Sequence, residues 1–278
     1  MIAQEKARLK GEGFISQRED GFFAVRIPSK SGNFTTAQCT AMTDIANTYG
    51  RGYLGLTTRM SMEIPWITAD SIPAVKAALV QAGLTHGGTG KRVRPCVACK
   101  GTICVHGLYD TQEMSDQIAG AWEASATPSK CKINFAGCPN NCTKVQVNDI
   151  GVIGRRYPAL DAHACVACGA CIAQCRAKAL TLVDGRIQKS DTCVGCGHCI
   201  PACPKGCFTV HQTGVEIYVG GVFGRTLRVG DSLGIFDVQQ LPLLIGKILA
   251  WYRTYGTDGE RIYQVIARLG LDCLKQAL

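Results

Sequence analysis

The sequence predicts an α+β fold interrupted by a cysteine-dense segment, on three observations. Apolar residues switch between a two-residue alternation and helical spacing across 21–83, and cysteines crowd into 161–210. Beyond that block the chain returns to an alternating strand and two amphipathic helices.

The elements follow in order. GFFAVRIP (21–28) alternates as a strand does. TTAQCTAMTDIANTYG (35–50) sets Ala37, Ala41, Met42, Ile45 and Tyr49 at helical spacing, and Gly50 stops it. YLGLTTR (53–59) and MEIPWI (62–67) read as a hairpin pair. A helix over 71–81 places Ile72, Val75, Leu79 and the following Ala82 on one face, with Asp70 as its cap. The order β-α-β-β-α is that of half a ferredoxin-like sandwich. After HGGTGKR (86–92) come RVRPCVACKGTIC, a helix over 112–125 and the apolar run ending in KINF. VEIYVGG (215–221) is a strand, and helices over 237–254 and 259–269 close the chain. Three units are therefore expected: 1–87, a second α/β unit made of 88–160 and 211–278, and the insertion 161–210.

Composition narrows the chemistry. A chain of 278 residues has ample core for one large domain or two smaller ones. Its seventeen cysteines suit either disulfides or metal ligation. Disulfide scaffolds are usually short and secreted; this chain is long, has an odd cysteine count and opens MIAQEKARLKGEGF, without an apolar leader. No stretch approaches a membrane span. The expectation is a reducing, cytoplasmic setting with thiolates on metal. The net charge of +9 forms no dense run interleaved with aromatics, so a small anion or a polyanionic cofactor is favoured over nucleic acid.

The segment 161–210 holds two copies of one pattern, Cys165-x2-Cys168-x2-Cys171-x3-Cys175 and Cys193-x2-Cys196-x2-Cys199-x3-Cys203-Pro204. Three cysteines at this interval wrap one [4Fe–4S] cube, while the fourth reaches across to the other cluster. Cluster A would use Cys165, Cys168, Cys171 and Cys203, and cluster B would use Cys193, Cys196, Cys199 and Cys175. Zinc sites normally use two separated pairs and fit poorly. The segment resembles a bacterial two-cluster ferredoxin, with Arg176 where proline usually follows the fourth cysteine. Cys207 is surplus and reads as packing.

Outside the insert, Cys99 and Cys104 lie upstream of Cys138 and Cys142 in GCPNNC. Two such pairs alone suit either zinc or a third cluster. Their surroundings resemble the siroheme-containing sulfite and nitrite reductases, through VRIP around Arg26, LTTRMSMEI around Arg59, SKCKI, GCPNNC and VGGVFGR (219–225). The layout is similar to the short-chain anaerobic and dissimilatory sulfite reductase subunits, which carry a ferredoxin insert after this turn. The resemblance implies a ferredoxin-like half domain joined to a siroheme and 4Fe-4S domain. It implies a cluster on Cys99, Cys104, Cys138 and Cys142, with Cys142 bridging to the siroheme iron. The family's first pair is usually C-x5-C; here it is C-x4-C, with Cys96 in reserve as a ligand. Arg26, Arg59, Lys130 and Lys132 become the cations that bind and protonate a small anion. Arg94, Asn140, Asn141, Gly220, Gly221 and Arg225 become siroheme contacts. His86, His106 and His163 are given no role.

The implied activity is six-electron reduction of sulfite to sulfide, with siroheme and three [4Fe–4S] clusters. Nitrite reduction to ammonia is the alternative, as is an electron-transfer subunit without working siroheme. Nothing resembles an NAD or flavin site, so a separate donor protein or subunit is implied. Long-chain relatives hold two copies of the α/β repeat and this chain has one. The resemblance therefore implies pairing with itself or a related subunit, with the four cations serving the partner's siroheme.

Overall fold

The computed structural model describes residues 3–278. Helix α1 (Ala3–Gly11) leads into β1 (Phe14–Ser16) and β2 (Phe22–Ile27), followed by α2 (Thr36–Tyr49), β3 (Gly55–Leu56), β4 (Met62–Thr68) and α3 (Ile72–Gln81). The strands form an antiparallel sheet in the order β1-β2-β4-β3. Alternation in β2 buries Phe23, Val25 and Ile27 with Met42 and Ile45 of α2 and Val75 and Leu79 of α3. The intervening Arg26 stands opposite Glu63 of β4. Thr35 and Gln38 cap α2 reciprocally, each side chain holding the other's backbone N–H. Asp70 is not the cap of α3. It lies in a single 3-10 turn, and Pro73 presets the helical backbone of the first turn instead.

The second unit begins with β5 (Val97–Ala98), α4 (Thr111–Trp122), β6 (Ile133–Ala136) and β7 (Ile150–Leu160). Next come α5 (Ala170–Gln174), β8 (Leu180–Val183), β9 (Arg186–Lys189) and α6 (Cys199–Ala202). It closes with β10 (Phe208–Val219), β11 (Val222–Phe223), β12 (Leu227–Arg228), β13 (Asp231–Phe236), α7 (Leu241–Tyr255), α8 (Ile262–Leu269) and α9 (Leu271–Lys275). Its main sheet has the order β13-β10-β7-β6-β5, parallel from β5 to β7 and antiparallel from β7 to β13. Ile133, Phe135 and Val152 turn toward a core shared with α4, α7 and α8. Ala136 and Ile153 turn to a smaller cluster with Val145, beneath the GCPNNC turn. One face of the sheet is thus core and the other carries the cysteine turn.

Several elements differ from the sequence pattern. Strand β7 has no clear alternation, because Gly151, Gly154 and Pro158 interrupt it, yet it lies at the centre of the sheet. Strand β10 begins seven residues before 215, where most of its side chains are exposed and show no alternation. Helix α4 stops at Trp122 rather than 125, since Ala124 takes a left-handed φ of +63°. Residues 238–240 form a 3-10 turn capped by Asp237 before α7 starts. Among the described residues, no helix is long and apolar enough to cross a membrane.

Candidate metal and anion centre

The two outer cysteine loops are joined by their backbones. Cys99 N–H donates to Phe135 O at 3.0 Å, Leu108 N–H donates to Gly137 O at 2.9 Å, and Gly137 N–H donates to Cys99 Sγ at 3.1 Å. Glycine is required where the loop folds on itself: a Cβ on Gly107 would stand 1.9 Å from Gly101 O. The result brings Cys99, Cys104 and Cys142 within electrostatic reach of Cys138, whose thiol is pushed up first by burial and then by these neighbours. Cys104 and Cys142 are exposed. Cys96 is not in this group. It lines a separate cavity with Ser29, Asp116 and Glu123, and burial raises its thiol pKa to about 12.

Arg59 crosses from the β3–β4 turn into the second unit. Its Nη1 donates to Asn134 Oδ1 at 3.0 Å and its Nη2 to Pro95 O at 2.6 Å, while Nε is buried without a partner. These partners are neutral, and burial lowers the guanidinium pKa against the weaker pull of Asp149 and Glu123. Arg59, Lys132, Asn134 and Cys142 line one cavity of about 270 Å³, together with Phe223. Burial, and then Arg59, lower the pKa of Lys132; burial, then Arg261 and Arg94, lower that of Lys130. Arg26 and Lys130 do not line this cavity. Arg26 donates through Nε to Glu63 Oε1 at 2.9 Å. Arg94 gives Nε and Nη1 to Gly90 O and Gly88 O, and its pKa falls to about 10 through burial and then Arg26, Arg59, Arg92 and Arg261. Of these expected anion-binding cations, Arg59 and Lys132 line the cavity that Cys142 also lines.

The expected siroheme contacts divide. Asn140 and Arg225 are exposed, Arg225 in the loop between β11 and β12. The Asn141 amide is engaged within its own turn, accepting from Val145 N–H at 2.8 Å and donating to Gln146 Oε1 at 2.9 Å. Gly220 has a φ of +76°, which glycine favours. At Gly221 the close approach is to the chain itself: a Cβ there would stand 2.3 Å from Gln146 O. Among the histidines, His86 Nδ1 lies 2.6 Å from Glu12 O, and His106 meets His198 at 5.0 Å between ring centres.

In the segment between β7 and β10, cysteines surround two small cavities. Cys165, Cys168, Cys171 and Cys203 line one, and Cys175, Cys193, Cys196 and Cys199 line the other. Each set takes its fourth member from the other triplet's neighbourhood. Cys207 is buried and lines the first cavity, and its N–H donates to Cys203 Sγ at 3.3 Å.

Two site residues escaped the sequence reading. Asp149 at the start of β7 is buried, ion-pairs with Arg261 at 2.7 Å, and accepts the Lys132 N–H at 2.9 Å. Burial raises its carboxyl pKa against the opposing pull of Arg261. No motif marks this pair, because Arg261 comes from the far end of the chain. Asp149→Ala leaves Arg261 half-committed to the interior without its anion, and is expected to cost roughly 3–5 kcal/mol. A thermal or denaturant unfolding curve measures it.

Comparison with known proteins places these features in context. The family model described as nitrite and sulphite reductase 4Fe-4S domain matches residues 89–278. The nitrite/sulfite reductase ferredoxin-like half domain matches residues 15–82. The chain is 34% identical over 266 residues to the coenzyme F420-dependent sulfite reductase of Methanocaldococcus jannaschii, covering 93% of this chain and 42% of the relative. It is 35% identical over 206 residues to a subunit of the anaerobic sulfite reductase of Salmonella typhimurium, covering 67% of this chain and 60% of the relative. The chain thus spans well under two thirds of each of these two relatives. Its fold is similar to the crystal structure of dissimilatory sulfite reductase I, with a TM-score of 0.74 and 21% identity, over 92% of this chain and 68% of the other.

Proposed function

Since the chain belongs to the nitrite and sulphite reductase family, we propose that it is a siroheme-dependent sulfite reductase fed through two clusters of its own. The observation that carries this reading is the cavity that Arg59, Lys132 and Cys142 line together. Siroheme, when bound, supplies an iron that holds the anion and delivers electrons to it. The chain's residues supply the rest. Cys99, Cys104, Cys138 and Cys142 would hold the adjoining cluster, and Cys142, exposed on the cavity wall, would be the ligand on the siroheme side. Arg59 binds an oxygen of the anion with a fixed, desolvated charge. Lys132, its ammonium made more acidic by burial, gives up a proton to an oxygen leaving as water.

The segment 161–207 supports a ferredoxin role, its two sets of four cysteines each surrounding a space of their own. Sulfite is preferred over nitrite because the two relatives described above both carry sulfite reductase in their names. Arg26, Arg94 and Lys130, which do not line the Cys142 cavity, serve the siroheme of a second chain. Specific activity is accordingly expected to fall on dilution; full activity as a monomer would remove this part of the reading.

The anaerobic optical spectrum of the reduced protein tests the whole. Siroheme bands that shift on adding sulfite are expected. Broad iron–sulfur absorption alone, unmoved by sulfite after siroheme reconstitution, would leave an electron carrier on a reductase fold. The lysine makes a separate prediction. The protonated form of Lys132 is the active one, so kcat at saturating sulfite falls as pH rises through its depressed pKa. Lys132→Met lowers kcat and removes that alkaline limb from the pH profile.

A further inference from the structure

The Tyr109 ring lies where the two outer cysteine loops meet. A Cβ built on Gly154 would stand 3.1 Å from Tyr109 Cδ1 and 2.4 Å from Gly137 O. Gly137 donates its N–H to Cys99 Sγ, and Leu108, next to Tyr109 in sequence, donates its N–H to Gly137 O. The ring and Gly137 O thus both close on Gly154, with the ring packed on the main core and its neighbour Leu108 bonded to the residue that hydrogen-bonds a cysteine sulfur.

Its hydroxyl is buried and has no partner, one of four such side-chain atoms among the described residues. Buried tyrosine hydroxyls normally find a partner, and an orphan points to a group that completes the site. Phenylalanine would fill the same space without a polar atom. Burial, with Cys99 adding to it, holds the hydroxyl pKa well above its ordinary value, so the oxygen keeps its proton. It is a donor in want of an acceptor.

We propose that the Tyr109 O–H donates to sulfur of the cluster held by Cys99, Cys104, Cys138 and Cys142, and thereby raises that cluster's reduction potential. This rests on the reading of those four cysteines as cluster ligands. The cluster gains one electron, and one negative charge, from its external donor on reduction. A hydrogen bond to sulfur strengthens as the sulfur becomes more negative, so it stabilises the reduced form more than the oxidised one. The proton stays on Tyr109 in both states. Tyr109 acts as a positioning and tuning residue, touching the cluster and not the substrate.

Tyr109→Phe tests this in the full holoprotein, by redox titration followed through the electron paramagnetic resonance of the reduced clusters. One of three one-electron waves is expected to move to more negative potential. The expected change is about tenfold in the reduced-to-oxidised ratio, equivalent to about 59 mV for a one-electron couple. The other two waves, the iron content and the unfolding temperature stay those of the wild type. Three unmoved waves would overturn the inference, as would lower iron content or stability with unchanged potentials, which is the mark of a packing role. A wild-type protein with only two waves would overturn the four-cysteine reading, and this inference with it.

Discussion

The Cys142→Ala protein is expected to reduce sulfite at least about 10⁴-fold more slowly than the wild type, the scale at which removal of one member of a coupled unit acts. The residue is exposed on the wall of the cavity that Arg59 and Lys132 also line. Its removal breaks no internal hydrogen bond of the turn, because Asn141 holds that turn through Val145 and Gln146. Folding should therefore survive. The cysteines of the segment 161–207 line separate spaces, so clusters held there on the proposed reading should keep their iron and their resonance signals. The measurement is sulfite-dependent oxidation of a reduced viologen dye, alongside iron analysis. Wild-type turnover in this variant would dismiss the shared-thiolate role. A protein that loses all of its iron would show instead that Cys142 is needed for assembly.

Arg59→Met is the second large effect, expected to lower kcat/KM for sulfite by about 10²–10³, as when one charged or dipolar contact to a developing anion is lost. Stability responds to two opposed terms. The substitution orphans acceptors on Asn134 and Pro95, at roughly 1–3 kcal/mol for each buried group left unpaired. It also removes a largely buried charge that makes no direct ion pair, which is itself costly to the fold. The net change in unfolding temperature is accordingly small beside the loss of activity. Arg59→Lys separates charge from shape: a single ammonium keeps the charge but cannot span Asn134 and Pro95 together. It should recover part of the lost activity. Equal activity in all three proteins would mean that Arg59 only ties the two units together.

Much of this was legible in the chain because its signals are local. Alternation in β2 and helical spacing in α2 and α3 identify the half domain, since each buries one face. The cysteine spacing of 165–203 groups its members as the structure does, because two-residue intervals leave few ways to surround one space. What stayed hidden depends on distant partners. Strand β7 looks broken by glycines, yet Gly151 and Gly154 are there because Val145 O and Gly137 O approach their α-carbons closely. Asp149 and Arg261 meet across 112 residues of sequence. Tyr109 carried no mark at all; only its buried, partnerless oxygen singles it out. Gly220 and Gly221 carried a visible signal whose cause differs at Gly221, where the intimate neighbour is the chain's own backbone.

The ribbon formed by β7 and β10 pairs from Ile150 with Val219 out to Leu160 with Phe208. The chain leaves this sheet and re-enters it at the same rung, so everything between is an excursion closed on itself. Its own small core, Cys171, Leu180, Ile187, Cys199 and Phe208, draws little from the parent body. Its anchors at the base include Arg155, which donates to Val194 O and pairs with Glu216. Such an excursion is a detachable cartridge. It can be lengthened, exchanged or cut back to a plain hairpin without shifting the register of any parent strand. The two cysteine-lined spaces can thus be rebuilt while the cavity lined by Arg59, Lys132 and Cys142 stays as it is.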